Sequence, residues 1–411
     1  MTLSRSTLAV ALLAALAAPI AHAEIAIDSI GGSDVSFEGL VQADADWFNN
    51  DVANLNGDVS DGADYDNELR RAELVLKGKG PGNYEWVLGW DAKANKWLDA
   101  NVKYKLGGDS NQFIQVGQFK QPNSLEELSS TKNNDFISKA VTTNTFAIAR
   151  RTGVAYRYAT ANWGITGSYF GRELTRNLGA GAGFGFRGNW APINEAGNIL
   201  HLGLSYVSLD TDADQIRIRA RPDADLTPTR LVDTGSTGIR NADRQSTWGA
   251  EGMWVHSAFK VQAEYMQSTI DRYNTGFASQ PGKSFKGDSW YVSGVWNLSG
   301  ETWGYKDGVP TTPLPSEPGR GMWQIGARYD KIDLDDGSLQ PGATPTSAPI
   351  VDGILGGEMD TWTVGVNYYW RSNFKVMLNY VKVKSTKYSS TAQNFIDDDP
   401  DIIEARVQFY W

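Results

Sequence analysis

Asp401-Ile402-Ile403-Glu404-Ala405-Arg406-Val407-Gln408-Phe409-Tyr410-Trp411 ends the chain, and its reading decides the fold. Ile403, Ala405, Val407, Phe409 and Trp411 alternate with Glu404, Arg406, Gln408 and Tyr410. In a β-strand successive side chains point to opposite faces, so one face here is apolar and the other polar. A helix would scatter the same residues around its circumference. The apolar face ends in aromatic rings, as do the lipid-facing bands of strands that cross a membrane.

The same two-residue period recurs upstream. Leu98, Ala100, Val102, Tyr104 and Leu106 alternate with Asp99, Asn101, Lys103 and Lys105. Phe259, Val261, Ala263 and Tyr265 form one such face, Trp362 to Trp370 a second and Phe374 to Tyr380 a third. Sixteen segments of this kind start near residues 35, 67, 84, 98, 112, 153, 163, 183, 199, 246, 258, 287, 321, 360, 373 and 401. Each spans roughly nine to eleven residues, the length a tilted strand needs to cross a bilayer.

Short links at 78–83, 107–111, 160–162, 256–257 and 371–372 alternate with long ones at 48–66, 120–152, 210–245, 268–286, 331–359 and 385–400. Short turns on one side and long loops on the other are expected of a closed antiparallel transmembrane β-barrel of 16 strands, its short turns periplasmic and its long loops extracellular or folded inward. The link 299–320 is long on the short-turn side and does not fit.

The N-terminus reads as a cleaved secretory signal peptide, residues 1–23, which leaves 24–411 as one barrel domain. Arg5 supplies its positive charge, Leu8–Ile20 its apolar core and Ala21-His22-Ala23 a small-x-small cleavage site. That core is too short to span a bilayer, and no other segment is a candidate transmembrane helix. Without cysteines the exported chain has no disulfides to hold it. A chain with no spanning helix crosses a membrane only as a closed barrel, where every backbone group finds a neighbouring strand. A soluble sandwich or carbohydrate-binding barrel would leave its aromatic strand ends exposed to aggregation. The net charge of −10 argues against a nucleic-acid partner. It also sits awkwardly with an anion channel, so local charge placement must decide.

Several pieces, in order along the chain, carry a resemblance. They are Glu38–Asp44 (EGLVQAD), Leu69–Leu74 (LRRAEL), Leu125-Glu126-Glu127 followed by Lys132, Asn198–Leu204 (NILHLGL), Arg217–Arg221 (RIRAR), Gln262–Tyr265 (QAEY), Ala327–Asp330 (ARYD) and Leu378–Lys382 (LNYVK). Together they resemble the phosphate- and polyphosphate-selective outer-membrane porins, the O/P porin family. The resemblance implies a homotrimer of sixteen-stranded barrels in the bacterial outer membrane, each with its own pore narrowed by inward-folded loops. It implies small anions as solutes, with membrane lipid and lipopolysaccharide as surroundings.

Arg217, Arg219 and Arg221 are the sharpest local feature. In an extended segment their spacing puts three guanidinium groups on one side, roughly 7 Å apart. Such a column offers an anion several adjacent bidentate sites, so it can move stepwise without one deep trap. Asp210, Asp212, Asp214, Asp223 and Asp225 lie close by and would instead make this a solvated, paired loop face.

Arg70 and Arg71 match the family's paired arginines. Arg71 shares the lumen face with Glu73, Val75 and Lys77, whereas Arg70 points outward unless a bulge turns it in. Asp99 matches an acidic residue at the family's binding centre, where a carboxylate could accept a hydrogen bond from a protonated phosphate. Lys120, Lys132 and Lys139 supply further positive charge around the long link 120–152. Two departures oppose them: Glu127 stands where the family has a lysine, and Glu73 where it has an aromatic residue. Both would weaken small-anion binding and alter selectivity, toward pyrophosphate, a sugar phosphate or a general, weakly selective diffusion pore. Arg230, Arg240 and Arg244 stand in or beside the long link 210–245.

An enzyme or adhesion barrel is the remaining class. His201 and His256 are the histidines beyond the leader, and neither has an evident Ser–Asp partner, so no catalytic residue is assigned. No cofactor or metal is implied; Asp397-Asp398-Asp399 with Asp401 reads as a solvated loop rather than a calcium site.

Overall fold

A computed structural model describes residues 25–30, 32–57, 64–108, 111–175, 181–211, 214–273, 284–342, 344 and 347–411. Residues 1–23, expected from sequence to be a leader, and Asp212 lie outside the described residues. Sixteen long strands form one closed antiparallel barrel: β1 (Ser33–Asn49), β2 (Tyr65–Lys79), β3 (Tyr84–Asp91), β4 (Lys96–Lys105), β5 (Gln112–Lys120), β6 (Arg150–Ala159), β7 (Trp163–Phe170) and β8 (Gly183–Glu195) make the first half. The second half is β9 (Asn198–Asp210), β10 (Ala242–His256), β11 (Phe259–Arg272), β12 (Phe285–Asn297), β13 (Met322–Gln340), β14 (Ile350–Trp370), β15 (Phe374–Ser389) and β16 (Asp401–Tyr410). Each strand pairs with its chain neighbour, and β16 returns to β1 from Leu40↔Tyr410 to Asn49↔Asp401. Ile25–Ile30 folds back on β1, and Asn394–Asp398 pairs with the outer end of β15.

The closing seam depends on Gly39. Its backbone exchanges two hydrogen bonds with Trp411, at 3.1 and 3.2 Å. A Cβ at Gly39 would stand 2.1 Å from the Trp411 ring, so the indole lies over the bare backbone and covers the junction.

Alternation sorts the wall. Trp163, Trp254, Trp296 and Trp323 are exposed on the outer face near the short turns; Trp47, Tyr65 and Trp97 are exposed near the loop end. These are two girdles at the two water interfaces. Between them the outer face carries residues such as Leu204, 65% exposed near the middle of β9. Leu204→Arg is expected to destabilise the barrel by about 2–4 kcal/mol, the usual effect of a charge at mid-bilayer depth. Urea unfolding in lipid vesicles measures it, and an unchanged transition would mean this face does not meet lipid.

Bulges on β2 and β4 change the inward set around the cavity. On β2, Gln42 pairs with Arg71 and Ala43 with Leu69, leaving Arg70 as the extra residue. Arg70 and Arg71 therefore both turn inward. On β4, Leu88 pairs with Ala100 and Trp90 with Trp97. Leu98, placed on the outer apolar face by simple alternation, instead joins Asp99 in lining the lumen.

Strand lengths exceed the sequence expectation: β13 has 19 residues and β14 has 21. Their outer parts rise as a hairpin with solvent on both sides, so alternation fades there.

Two long outer connections and the misfit one fill the lumen. The third outer connection, L3 (residues 121–149), carries helices α1 (Leu125–Leu128) and α2 (Val141–Phe146). The fifth, L5 (residues 211–241), packs Ile218, Ala220, Ala224, Leu231 and Val232 into an apolar core with Phe146 of L3 and Phe285, Ile332 and Val381 of the wall. The misfit connection 298–321 carries a hairpin, Gly304–Lys306 with Val309–Thr311, folded inward from the short-turn end. Trp303 is buried, Tyr305 Oη lies 2.6 Å from His201 Nδ1, and Arg187 donates to the Gly308 carbonyl at 2.8 Å. His201 is thus a fully buried docking group for the hairpin, its Nε2 3.0 Å from Glu251.

Candidate functional site: a basic cavity along the lumen

L3 is bound to the second half of the wall. Glu264 of β11 accepts hydrogen bonds from the Leu125 and Glu126 amides at 2.9 and 2.8 Å, capping α1 where the helix presents unpaired N–H groups. Lys260 pairs with Asp135 at 2.6 Å, Lys375 donates to the Asn134 carbonyl at 2.6 Å, and Arg406 donates to the Ile137 carbonyl at 2.7 Å. Arg328 donates to the Ser138 carbonyl at 3.0 Å. These inward-facing cations satisfy loop carbonyls or, at Lys260, a loop carboxylate rather than facing water.

The open space lies on the other side, between L3, the inward hairpin and strands β1–β8. It is a cavity of about 940 Å³. Its lining includes ten basic side chains (Lys77, Lys79, Lys103, Lys105, Lys120, Lys132, Arg150, Arg157, Arg187 and Lys306) and five acidic ones (Glu38, Glu73, Glu85, Asp99 and Asp307). The chain is acidic overall, but its cavity is basic. A charged cleft with low-dielectric walls focuses its field on the solute path, where bulk net charge matters little.

The residues singled out in sequence divide into three groups. Lys120, Lys132, Asp99 and Glu73 line the cavity. Asp99 is held by Arg150, whose Nε and Nη2 donate to one carboxylate oxygen at 3.0 and 2.7 Å. Lys120 donates to the Glu127 and Ser129 carbonyls. Lys132 stands 5.6 Å from the Tyr410 ring centroid, a cation–π distance.

Arg70, Arg71 and the L5 arginines form the second group, on the loop side of the cavity. Arg70 pairs with Asp225 of L5 at 3.1 Å, and Arg71 pairs with Glu73 at 3.1 Å. Burial alone would raise Asp225, but Arg70, Arg406, Arg71 and Arg221 hold it below the ordinary carboxylate value. Arg217, Arg219 and Arg221 lie on one side of an extended segment, with Ile218 and Ala220 buried between them. Arg217 is clamped by Asp233. Arg219 is exposed, and Arg221 faces Arg70 and Arg219 as well as Asp225. Burial, then the nearness of Arg221 and Arg219, lowers Arg230 to about 10, which leaves it charged at neutral pH. Arg240 is exposed and Arg244 pairs with Asp210.

Glu127, buried, and Lys139, half-buried, form the third group and pair behind the cavity wall. Lys139 bonds to the Glu127 carboxylate, and Lys120 Nζ lies 3.9 Å from it. Burial pushes Glu127 up, but Lys139 and Lys120 more than offset it and hold its carboxyl at about 2. Glu127 therefore takes up positive charge that sequence reasoning assigned to the solute.

Arg150, Arg157, Arg187 and Lys306 were not singled out as site residues. Arg157 and Arg187 stand on inward positions of β6 and β8, which alternation could have flagged. Lys306 sits on the inward hairpin, for which the only sequence signal was the misfit length of 299–320.

A family model described as phosphate-selective porin O and P matches residues 39–411. The chain is 26% identical over 427 residues to Porin O of Pseudomonas aeruginosa, covering 94% of this chain and 92% of that protein. Outer-membrane-expressed OmpT of Vibrio cholerae superposes with a TM-score of 0.55 at 12% identity, over 94% of this chain and 100% of that one. An anion-selective porin from Comamonas acidovorans gives a TM-score of 0.54 at 12% identity, over 92% and 100%. At such identities the structural likeness speaks for the fold.

Proposed function

Because the chain belongs to the phosphate-selective porin O and P family and is an outer-membrane barrel, we propose that it conducts small anions by passive diffusion through its basic cavity. The excess of basic over acidic side chains around that cavity carries this reading. An anion entering past L5 meets Arg219 and Arg221, then Arg70 and Arg71 around Asp225. It next reaches Arg150, Lys120 and Lys132, and leaves past Lys77, Lys79, Lys103 and Lys105 at the short-turn end. Each step exchanges one charge-assisted contact for another, which keeps binding shallow enough to release. Porin O of Pseudomonas aeruginosa is a relative, and its family's name makes phosphate-type anions the first solutes to test.

The pairs Arg71–Glu73, Arg150–Asp99 and Lys139–Glu127 favour a second reading, a general pore with weak preference. Planar-bilayer recording under a potassium chloride gradient separates the two. Anion preference predicts a reversal potential of the chloride sign, block of chloride current by added phosphate, and a weaker block in Arg219→Gln. A reversal potential near zero with no block leaves the general pore.

Vibrio cholerae OmpT has been solved in a trimer form, and we extend a homotrimer to this chain. The aromatic girdles would then meet outer-membrane lipid and lipopolysaccharide on the faces left free.

A further inference from the structure

Water fills a barrel lumen, and its lining is polar for that reason. This cavity departs from that pattern. Val75 of β2, Val87 of β3 and Phe113 of β5 face it from the wall, each half-buried. Leu128 of L3 and Val309 of the inward hairpin face the same space, also half-buried.

The apolar groups are interleaved with cations. Val87 pairs across the ladder with Lys77, and Phe113 with Lys105. Lys103 Nζ lies 4.9 Å from the Phe113 ring centroid. Gly89 lies in the same wall. A Cβ there would stand 3.2 Å from Leu98 Cβ and 3.4 Å from Val75 Cγ2, so bare backbone is flanked by two apolar side chains. Cations that hold a charged head beside apolar surface that excludes water form a site for an amphiphilic anion. An inorganic ion gains from the cations alone.

We propose that the cavity prefers organic anions, an anionic head on a compact apolar body, over inorganic phosphate. This rests on the anion-channel reading above and names its solute class. The wall residues Val75 and Val87 supply the apolar contact and the neighbouring lysines the charge contact. Preference then follows from the water displaced from the valines when the apolar body enters.

The test uses the full-length barrel in planar bilayers, with chloride current blocked by phenyl phosphate, methyl phosphate or inorganic phosphate. Phenyl phosphate is expected to block at about tenfold lower concentration than methyl phosphate, which carries a similar head. Val75→Thr combined with Val87→Thr keeps side-chain shape and strand preference. It is expected to bring the two esters within about twofold of each other, chiefly by weakening the block by phenyl phosphate. Leu128→Gln, on the loop rather than the ladder, should narrow the gap independently. Equal block by the two esters in the unaltered protein overturns the proposal. So does a phenyl preference that neither variant reduces. No block by any of the three also overturns the proposal, and with a reversal potential near zero it removes the anion-channel reading itself, a result distinct from block without preference.

Discussion

Glu127→Gln is expected to raise the anion-over-cation permeability ratio about fivefold. The carboxylate it removes is buried against Lys139 and 3.9 Å from Lys120, and Lys120 lines the cavity. Glutamine keeps the shape and one acceptor, so Lys139 retains a hydrogen bond, and the local charge rises by one wherever Lys120 and Lys139 both stay protonated. An anion about 8 Å away, at an effective dielectric constant of about 40, gains about 1 kcal/mol from that unit charge. Stability should fall by about 1–3 kcal/mol, because a charged hydrogen bond becomes a neutral one. Mild acid does not imitate the variant. The Glu127 carboxyl titrates at about 2 in the folded protein, against an ordinary value of 4.5. Its ion pairs stabilise the fold fully above the ordinary value, and that contribution shrinks below it and is gone once pH has fallen through about 2. Glu127 therefore stays ionised at pH 4. An unchanged reversal potential in Glu127→Gln would mean that Lys120 and Lys139 do not act on permeating ions.

The barrel was legible because lipid and water impose opposite demands on neighbouring residues. Sixteen segments read from alternation became sixteen strands. Agreement is poorest where that demand stops. The fourteenth segment was expected near 360 and starts at Ile350, since its outer half has solvent on both sides. Bulges were half legible. Two adjacent arginines made an inward turn at Arg70 worth considering, but nothing in the residues around Leu98 marked the second bulge.

Inward orientation was readable at Lys260, Arg328, Lys375 and Arg406, which all fall on the polar face of their strands. What they face was not readable. Each meets an L3 residue instead of open water, and that depends on where a long loop folds. The same limit explains Lys139. Its charge suggested an anion contact, but its partner, twelve residues earlier in the chain, came within reach only through the fold of L3.

Arg328→Met should enlarge the pore, raising single-channel conductance roughly threefold and erasing most ion preference. Arg328 is 1% exposed and joins three parts of the lumen. It pairs with Asp330 of its own strand at 2.8 Å, with Asp223 of L5 at 2.9 Å and with Glu126 of L3 at 3.8 Å. Its guanidinium also lies 4.8 Å from the Phe136 ring centroid and donates to the Ser138 carbonyl. Methionine fills the volume but leaves Asp223 and Asp330 buried without their cation, a loss of about 3–5 kcal/mol. The strand ladder does not use this side chain, so the barrel should still form while L3 and L5 separate from β13. Adding Asp223→Asn and Asp330→Asn removes the stranded charge and should restore stability without restoring the tether. Stability and conductance would then part company: the triple variant should unfold near the original denaturant concentration yet keep the larger pore. If its conductance instead returns to the original value, Glu264, Lys260 and Arg406 hold L3 without Arg328, and the cavity's width is set by those anchors.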